Sequence, residues 1–393
     1  MTHYNYLIVG GGMTADAAAQ GIREVDPSGT IGLISAEHDP PYNRPPLTKG
    51  LWKGKPLESI WRHTEDHNVE LHLGCRAQTL DVQQKQITDD RGRTCTFDKL
   101  LLATGGQPRR LPFGEALIIY YRTLEDFRRL YATAEQRRRF AVIGGGFIGS
   151  EIAAALTMNE REVTMIFPGT GICSRMFPVD LSESLNDFYR EKGIEVLVGE
   201  SVASFARQGE QFVLRTSSRE IVVDGIVAGI GIEPDVDLAR PAGLEVNNGI
   251  VVDELLRTSH PEIYSAGDVA AFYNPALDRR LRVEHEDNAN TMGRLAGRNM
   301  AGQTESYHHL PYFYSDLFEL GYEAVGDLDS RLQTVADWEE PYRKGVIYYL
   351  QQGQVRGVLL WNVWGQVDAA RELIASRRTF QPEDLKGLLL AAT

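Results

Sequence analysis

Three cysteines are all that the 393-residue sequence contains, and it also lacks an excess of basic residues and long apolar runs. Scattered single cysteines exclude a disulfide framework, a zinc site and a redox pair of neighbouring cysteines. Lys plus Arg is 41 against 54 for Asp plus Glu, a formal net charge of −13 that disfavours nucleic acid as a partner. No apolar run approaches the roughly 18 residues of a membrane span, and the first residues lack the basic region and apolar core of a secretory signal. We therefore expect a soluble, cytoplasmic chain without a metal site.

One short sequence pattern occurs twice. An apolar run enters a glycine turn of the form G-x-G-x-x-G/A and continues into an Ala-rich, helix-forming segment, at residues 6–22 and again at 140–156. The first glycine permits the tight bend, the second lets the backbone approach a pyrophosphate, and the third small residue lets the helix pack on the strand. The helix N-terminus then favours phosphate. The pattern predicts an α/β fold with two dinucleotide sites, at Gly10, Gly12 and Ala15 in the first copy and Gly144, Gly146 and Gly149 in the second.

The residue that ends the next strand of such a unit normally binds the adenosine ribose. In the first copy that strand leads to Glu37, which we expect to bind the ribose hydroxyls. In the second copy the strand runs into Gly169 without a carboxylate, and Arg175 follows closely in the sequence. Nothing in this segment would repel a 2′-phosphate, so NADH and NADPH both remain open.

Further strings carry a family resemblance. Together they resemble the flavin and nicotinamide reductases of the pyridine nucleotide-disulfide oxidoreductase superfamily: RPPLTK at residues 44–49, ATG at 103–105, GSE at 149–151, GIEP at 231–234, GD at 267–268 and VEH at 283–285. Within that superfamily the chain is similar, over essentially its whole length, to apoptosis-inducing factor and to the ferredoxin, putidaredoxin and rubredoxin reductases. The strings KGVI and LWN, at residues 344–347 and 360–362, extend this similarity into the last part of the chain.

The resemblance implies a fold and a domain order. We expect an α/β protein with two Rossmann-like dinucleotide-binding domains, one for FAD and one for NAD(P), and a C-terminal α+β interface domain. The FAD domain is expected at residues 1–122 and 246–306, the NAD(P) domain at 123–245 and the interface domain at 307–393. The length of the chain likewise predicts two or three domains.

The resemblance also assigns site residues. Lys49 and Glu151 form a catalytic salt bridge beside flavin N5, with ordinary helix surface as the alternative for Glu151. His285 lies at the start of a helix expected to continue through Met300 and packs by the flavin or the nicotinamide, with a purely structural histidine as the alternative. Tyr314 stands where the family has tryptophan, and it either covers the flavin or packs in a core. The remaining residues assigned to cofactor binding are Arg44, Ala77, Thr104, Gly105, Arg122, Phe147, Ile148, Gly231, Gly267, Asp268 and Glu284.

These observations predict an FAD-dependent NAD(P)H oxidoreductase in which flavin N5 accepts a hydride from the nicotinamide. Because the sequence has no cysteine pair, the electrons must pass to an external acceptor: a ferredoxin-type or rubredoxin-type iron–sulfur protein, a quinone or another small molecule. The alternative is an NADH-sensing flavoprotein with a long-lived charge-transfer complex and redox-controlled dimerisation. A monomer and a homodimer both remain open. Arginine clusters at residues 109–110, 137–139 and 279–282 either dock an acidic iron–sulfur partner or form a solvated face.

Overall fold

The computed structural model describes residues 2–114 and 117–390. Contacts within the chain divide it into two compact units, each assembled from three segments of sequence. The first unit comprises Met1–Arg44, Leu57–Gln107 and Glu233–Pro311, and the second comprises Pro45–Pro56, Pro108–Ile232 and Tyr312–Thr393. The finer division into an FAD domain, an NAD(P) domain and an interface domain stays a prediction.

Six α-helices lie within the described residues. Local sequence explains where they begin: at one of them the Thr123 hydroxyl accepts the Asp126 N–H while the Asp126 carboxylate accepts the Thr123 N–H, a reciprocal capping box. No helix in this part of the chain is long and apolar enough to cross a membrane. The helices are α1 (Met13–Val25), α2 (Leu124–Gln136), α3 (Phe147–Met158), α4 (Val179–Glu191), α5 (Glu286–Met300) and α6 (Val367–Ala375).

A mixed sheet forms the centre of the first unit. Its strands, in spatial order, are Val69–His72, Ile31–Ile34, Thr2–Val9, Thr94–Leu102, Gln86–Asp89 and Ala77–Asp81, and Ile263–Ser265 also pairs with Thr94–Leu102. Val9 pairs in parallel with Ile34 on one side and with Leu102 on the other, so three strands end together. Ligands of parallel α/β sheets bind at this carboxyl edge. A second sheet contains Val246–Asn247, Gly249–Val251, Ala270–Asn274 and Arg279–Leu281.

Helices α1 and α5 pack against each other in the first unit at unusually short range. A Cβ built on Gly297 would lie 2.0 Å from the carbonyl oxygen of Ala18, and one on Gly293 would lie 2.5 Å from that of Thr14. Only glycine permits such an approach, which explains the two glycines within α5. The two helices run in the same direction, since positions 14 and 18 of one match positions 293 and 297 of the other. Both helix N-termini therefore face the same side of the unit.

The described residues of the second unit form three sheets. A parallel sheet has the strand order Glu195–Val198, Glu162–Phe167, Arg139–Ile143, Gly225–Ala228 and Ile119–Tyr120. A small antiparallel sheet contains Ser204–Gln208, Gln211–Arg215 and Glu220–Val223. The third is antiparallel, in the order Tyr312–Leu317, Leu320–Gly326, Gln354–Trp361, Lys344–Gln351 and Gln333–Glu340. Two of the points at which the chain passes from one unit to the other lie within short strands, Gly106–Pro108 and Ile232–Pro234.

Aromatic side chains fill the inner face of the third sheet. Trp361 and Tyr322 are fully buried and stack with ring centroids 5.6 Å apart and planes 9° apart. Phe177 meets both rings edge-on. Because residues on a strand alternate between faces, burial of Tyr322 and its cross-strand partner Ser315 leaves Tyr314 on the opposite face.

Candidate functional site

The first glycine turn joins the strand Thr2–Val9 to α1. Gly10 has φ of +128°, and a Cβ there would lie 2.1 Å from the Ala103 carbonyl oxygen, so only glycine fits. At Gly12, by contrast, φ is −95° and a Cβ would come no closer to another group than 4.0 Å, at Nη2 of Arg44. Ala15 is fully buried beneath the turn. The backbone at Gly12 is therefore open on its outer side, with a guanidinium beside it.

Glu37 and Arg44, which the sequence assigned to separate roles, form an ion pair. Nη2 of Arg44 lies 2.5 Å from Oε1 of Glu37, and the Tyr42 hydroxyl donates to Oε2 over 2.6 Å. Burial disfavours the charge on Arg44, but the neighbouring Tyr42, Glu37 and Asp268 outweigh burial and raise the pKa of the guanidinium above its usual range. A permanently charged group thus lies next to the first glycine turn.

The start of α5 lies near the same charges. His285 is the N-cap residue of α5, and burial lowers the pKa of its imidazole to about 4 although the carboxylates of Asp268 and Asp287 act in the opposite direction. Gly267, immediately before Asp268, has φ of +77° and packs closely against Thr14 of α1. The imidazole is therefore neutral at neutral pH.

Other residues that the sequence assigned to the cofactors lie elsewhere in the first unit. Thr104 and Gly105 follow the strand Thr94–Leu102 and are tied to Asp235: the Thr104 hydroxyl donates to the Asp235 carbonyl over 2.6 Å, and the Asp235 N–H donates to the Gly105 carbonyl over 3.0 Å. Ala77 begins the edge strand Ala77–Asp81. Glu284 is exposed and paired with Arg282 over 2.6 Å.

The second glycine turn repeats the geometry of the first. Gly144 has φ of +119°, and a Cβ on Gly149 would lie 2.0 Å from the Gly144 carbonyl oxygen. Gly146 has φ of −90°, and a Cβ there would meet nothing within 4 Å. In both turns, atoms of the chain therefore leave no room for a larger side chain at the first and third positions. The second position has free space beside its backbone.

A buried carboxylate lies in the first turns of α3. Glu151 is 5% exposed, and its Oε1 accepts hydrogen bonds from Lys49 Nζ over 2.6 Å and from the Ser315 hydroxyl over 2.5 Å. Its Oε2 accepts one from the Thr48 hydroxyl over 2.5 Å. Lys49 Nζ also lies 5.4 Å from the centroid of the Tyr314 ring. The structure thus brings Lys49, Glu151 and Tyr314 together as one group, and Glu151 is not an ordinary surface residue.

The remaining predicted residues of the second unit are more dispersed. Phe147 meets Phe313 edge-on at 5.1 Å between centroids, and the adjacent Ile148 is 37% exposed. Gly231 is exposed with φ of +94°. Arg122 directly precedes the capping box of α2 and donates its backbone N–H to Asp126, and Arg175 is exposed on the segment that follows Gly169.

Several polar contacts escaped the sequence analysis. Asp16 in α1 is fully buried, and its carboxylate accepts from Arg62 Nε and the Thr64 hydroxyl, each over 2.6 Å, while Arg62 also donates to Asn43 over 2.7 Å. This network fixes the segment that precedes Arg44. Tyr42, Thr48 and Ser315 were also missed, although Thr48 lies within RPPLTK, Tyr42 lies two positions before it and Ser315 directly follows Tyr314.

One arginine cluster is paired within the chain. Arg137, Arg138 and Arg139 pair with Glu210, Glu162 and Asp224 over 2.8, 2.8 and 3.2 Å, respectively. Arg282 of the 279–282 cluster pairs with Glu284. These ion pairs favour the interpretation of residues 137–139 as a solvated face rather than a docking site.

Two α/β units, each with a glycine turn between a parallel strand and a helix, define a dinucleotide-binding α/β protein, and comparison with known proteins agrees. The family described as pyridine nucleotide-disulphide oxidoreductase matches residues 4–293. The family described as apoptosis-inducing factor, mitochondrion-associated, C-term, matches residues 296–341 and 336–376. The chain belongs to the pyridine nucleotide-disulphide oxidoreductase family, and the predicted fold class is confirmed.

Three relatives illustrate the similarity. The chain is 35% identical to apoptosis-inducing factor 1, mitochondrial, of Dictyostelium discoideum, over 98% of this chain and 80% of the relative. It is 31% identical to the ferredoxin–NAD(+) reductase component of the anthranilate 1,2-dioxygenase system of Burkholderia cepacia, over 97% and 96%. The crystal structure of the covalent putidaredoxin reductase–putidaredoxin complex matches with a TM-score of 0.92 at 29% identity, over 100% of this chain and 99% of that chain.

Family membership establishes the reaction class. The protein is an FAD-dependent NAD(P)H oxidoreductase, and its cofactors are FAD and NAD(P)H, as the sequence predicts. The residues described above fit both dinucleotides, because each of the two units has one glycine turn whose second position is open to a ligand.

Proposed function

We propose that this oxidoreductase passes electrons from NAD(P)H, through FAD, to an iron–sulfur protein of the ferredoxin type. The structural match to putidaredoxin reductase carries the proposal. It covers 100% of this chain and 99% of the matched chain, so it includes the C-terminal sheet. The similarity to a ferredoxin–NAD(+) reductase component supports the same acceptor class. Cys75, Cys95 and Cys173 are free thiols, which agrees with an external acceptor rather than a redox disulfide.

The two glycine turns are proposed to hold the two pyrophosphates. At Gly12 and Gly146 the backbone is accessible and the following helix directs unpaired N–H groups outward, so a phosphate can approach closely. Bound FAD would supply the chemistry, since a flavin takes up a hydride and releases electrons singly. The chain contributes binding and orientation of the cofactors and electrostatic stabilisation.

The charged group beside Gly12 is proposed to bind FAD. Arg44 would contact the pyrophosphate, because a guanidinium fork matches phosphate oxygens. Glu37 would bind the ribose hydroxyls, since each carboxylate oxygen has a second lone-pair site besides the one used by Arg44 or Tyr42. Asp268 and the neutral His285 would contact the flavin end of the cofactor. The same proposal includes FAD contacts from Thr104, Gly105, Ala77, Gly267, Glu284 and Arg122.

Lys49 and Glu151 are proposed to be the catalytic pair. The Lys49 side chain is 14% exposed, its ammonium group would lie beside the reacting flavin atom, and the carboxylate would hold it there. A fixed positive charge stabilises negative charge on a reduced ring. Tyr314, whose ring faces Lys49, would cover the flavin.

The nicotinamide is proposed to lie against Phe147, Ile148 and Gly231, close to the second glycine turn. The segment after the strand Glu162–Phe167 has no carboxylate to reject a 2′-phosphate, and Arg175 is exposed there. We therefore propose that the enzyme accepts NADPH as well as NADH.

Rapid mixing tests the acceptor. The FAD-loaded protein is reduced anaerobically with NADH or NADPH and then mixed with an oxidised [2Fe–2S] ferredoxin, with a quinone or with oxygen. Fast reoxidation of the flavin by the ferredoxin, with slow reoxidation by the other two, supports the proposal. Slow reoxidation by every ferredoxin tested, together with fast reoxidation by a quinone or by oxygen, contradicts it.

The similarity to apoptosis-inducing factor favours a second candidate, an NADH-sensing flavoprotein that dimerises when reduced. The same experiment separates the two functions. A long-wavelength absorption band that persists after reduction, together with a change from monomer to dimer in sedimentation, indicates the sensor. We also propose a cytoplasmic location, which fractionation of the source cells tests.

A further inference from the structure

Two hydroxyl groups share the Glu151 carboxylate with Lys49. Oε1 accepts from Ser315 as well as from Lys49, and Oε2 accepts from Thr48. Thr48 is 6% exposed and Ser315 is fully buried, so neither hydroxyl group is exposed to solvent. The carboxylate thus has two neutral donors besides its single ammonium contact.

The surroundings of Glu151 make these donors important. Cys173, Tyr189 and Tyr322 also face it, and burial together with the charge of Glu151 raises the pKa of Cys173 to about 12 and the pKa values of both tyrosines above their usual range. All three are therefore neutral and supply no compensating charge. A buried carboxylate that loses its ion-pair partner must gain a proton or disrupt its site unless other donors remain.

We infer that Thr48 and Ser315 are positioning residues that keep Glu151 ionised and fixed in place independently of Lys49. Lys49 can then shift its hydrogen bonds towards the cofactor, with Tyr314 as a second neighbour, and leave no unsatisfied buried carboxylate behind. This role deepens the proposed function of the Lys49–Glu151 pair and rests on it. The ionisation of Glu151 itself is measurable whether or not that function is correct.

Infrared spectroscopy of the FAD-loaded protein at neutral pH tests the inference. Lys49→Met removes the ammonium group, and the further change Thr48→Val or Ser315→Ala removes one hydroxyl with little change in volume. The C=O stretching band of a protonated Glu151 is identified by its loss when Glu151→Gln is added to each variant. We expect no such band in Lys49→Met, and a band in Lys49→Met/Thr48→Val and in Lys49→Met/Ser315→Ala.

Each outcome decides the matter. A band already present in Lys49→Met overturns the inference, and so does its absence from either double variant. If a double variant does not fold although Lys49→Met does, addition of Glu151→Gln should restore folding, because the uncompensated carboxylate is then gone. Failure of that rescue contradicts the inference.

Kinetics with Lys49 intact provide a second measurement. Thr48→Val should slow reduction of the flavin by NAD(P)H about tenfold, the effect of one lost hydrogen bond to a charged group, whereas Thr48→Ser should retain the rate. Equal rates in the two variants contradict a role for the hydroxyl. The choice of electron acceptor does not enter this step, so the inference can fail or hold independently of the proposed acceptor.

Discussion

Nε of Arg62 lies 2.6 Å from Oδ2 of Asp16, a carboxylate that is fully buried in α1. Removal of one partner of a buried ion pair leaves an uncompensated charge, so Arg62→Ala should lower the free energy of unfolding by about 3–5 kcal/mol. Arg138→Ala is the matched control, because Arg138 pairs with Glu162 on the surface, with side-chain exposures of 74% and 55%. That variant should cost at most about 1 kcal/mol. Urea denaturation followed by circular dichroism measures both free energies of unfolding. Equal losses in the two variants would show that the buried Asp16 carboxylate does not need Arg62 to compensate its charge.

Glu151→Ala tests the catalytic pair. The variant should retain FAD but reduce it at least about tenfold more slowly with NAD(P)H, since Lys49 loses a charge-assisted hydrogen bond that fixes its position. Glu183→Ala, which removes an exposed carboxylate of α4, serves as the control and should react at the normal rate. Stopped-flow absorbance measures the reduction. A normal rate and an unchanged flavin potential in Glu151→Ala would remove this residue from the site.

Gly169→Glu tests how the enzyme selects its nicotinamide cofactor. A carboxylate at this position should repel the 2′-phosphate and lower kcat/KM for NADPH relative to NADH by about tenfold or more. A Cβ at Gly169 would lie 2.9 Å from the Ser174 hydroxyl, so some local adjustment is expected from any substitution. Gly169→Ala introduces the same contact without the charge and should leave the ratio unchanged. If kcat/KM for NADPH relative to NADH is the same in Gly169→Glu and Gly169→Ala, the segment around Gly169 does not contact the ribose.

His285 predicts a specific dependence of stability on pH. Its pKa is about 4 in the folded chain against 6.5 in an unfolded one, so the unfolded state binds more protons between these values. Stability should therefore be fully present above pH 6.5 and decrease by up to about 3 kcal/mol as the pH falls to 4. In His285→Gln this contribution is absent. Thermal unfolding of the cofactor-free protein across this range measures the slope, and identical slopes in the two proteins would contradict a partly buried, neutral His285.

The sequence predicted what depends on local geometry. The glycine turns are specified by adjacent residues, and the structure gives Gly10 and Gly144 the positive φ angles that only glycine adopts readily. It did not predict contacts that the folded chain makes between distant segments. Thr48 and Ser315 are 103 and 164 positions from Glu151, and no periodicity or motif relates them.

Asp16 illustrates the same limit in a different way. The sequence pattern predicts that an acidic residue in an Ala-rich helix is exposed to solvent. Asp16 is buried instead, because Arg62, 46 positions away, supplies its charge partner. Glu37 and Arg44 were both identified from sequence, but their ion pair was not, since each was assigned separately to a part of the cofactor. Residue types were therefore easier to predict than the pairs that they form.

The central claim, that each glycine turn holds a different dinucleotide, is tested most directly by measuring FAD and NAD(P)H affinities of Gly12→Ala and Gly146→Ala. Both positions have φ near −90° and room for a Cβ, so neither change should disturb the fold. The account predicts that Gly12→Ala weakens FAD binding about tenfold or more. Gly146→Ala should keep FAD and weaken NAD(P)H binding by a similar factor. Unchanged affinities in both variants, or loss of FAD from Gly146→Ala alone, would contradict it.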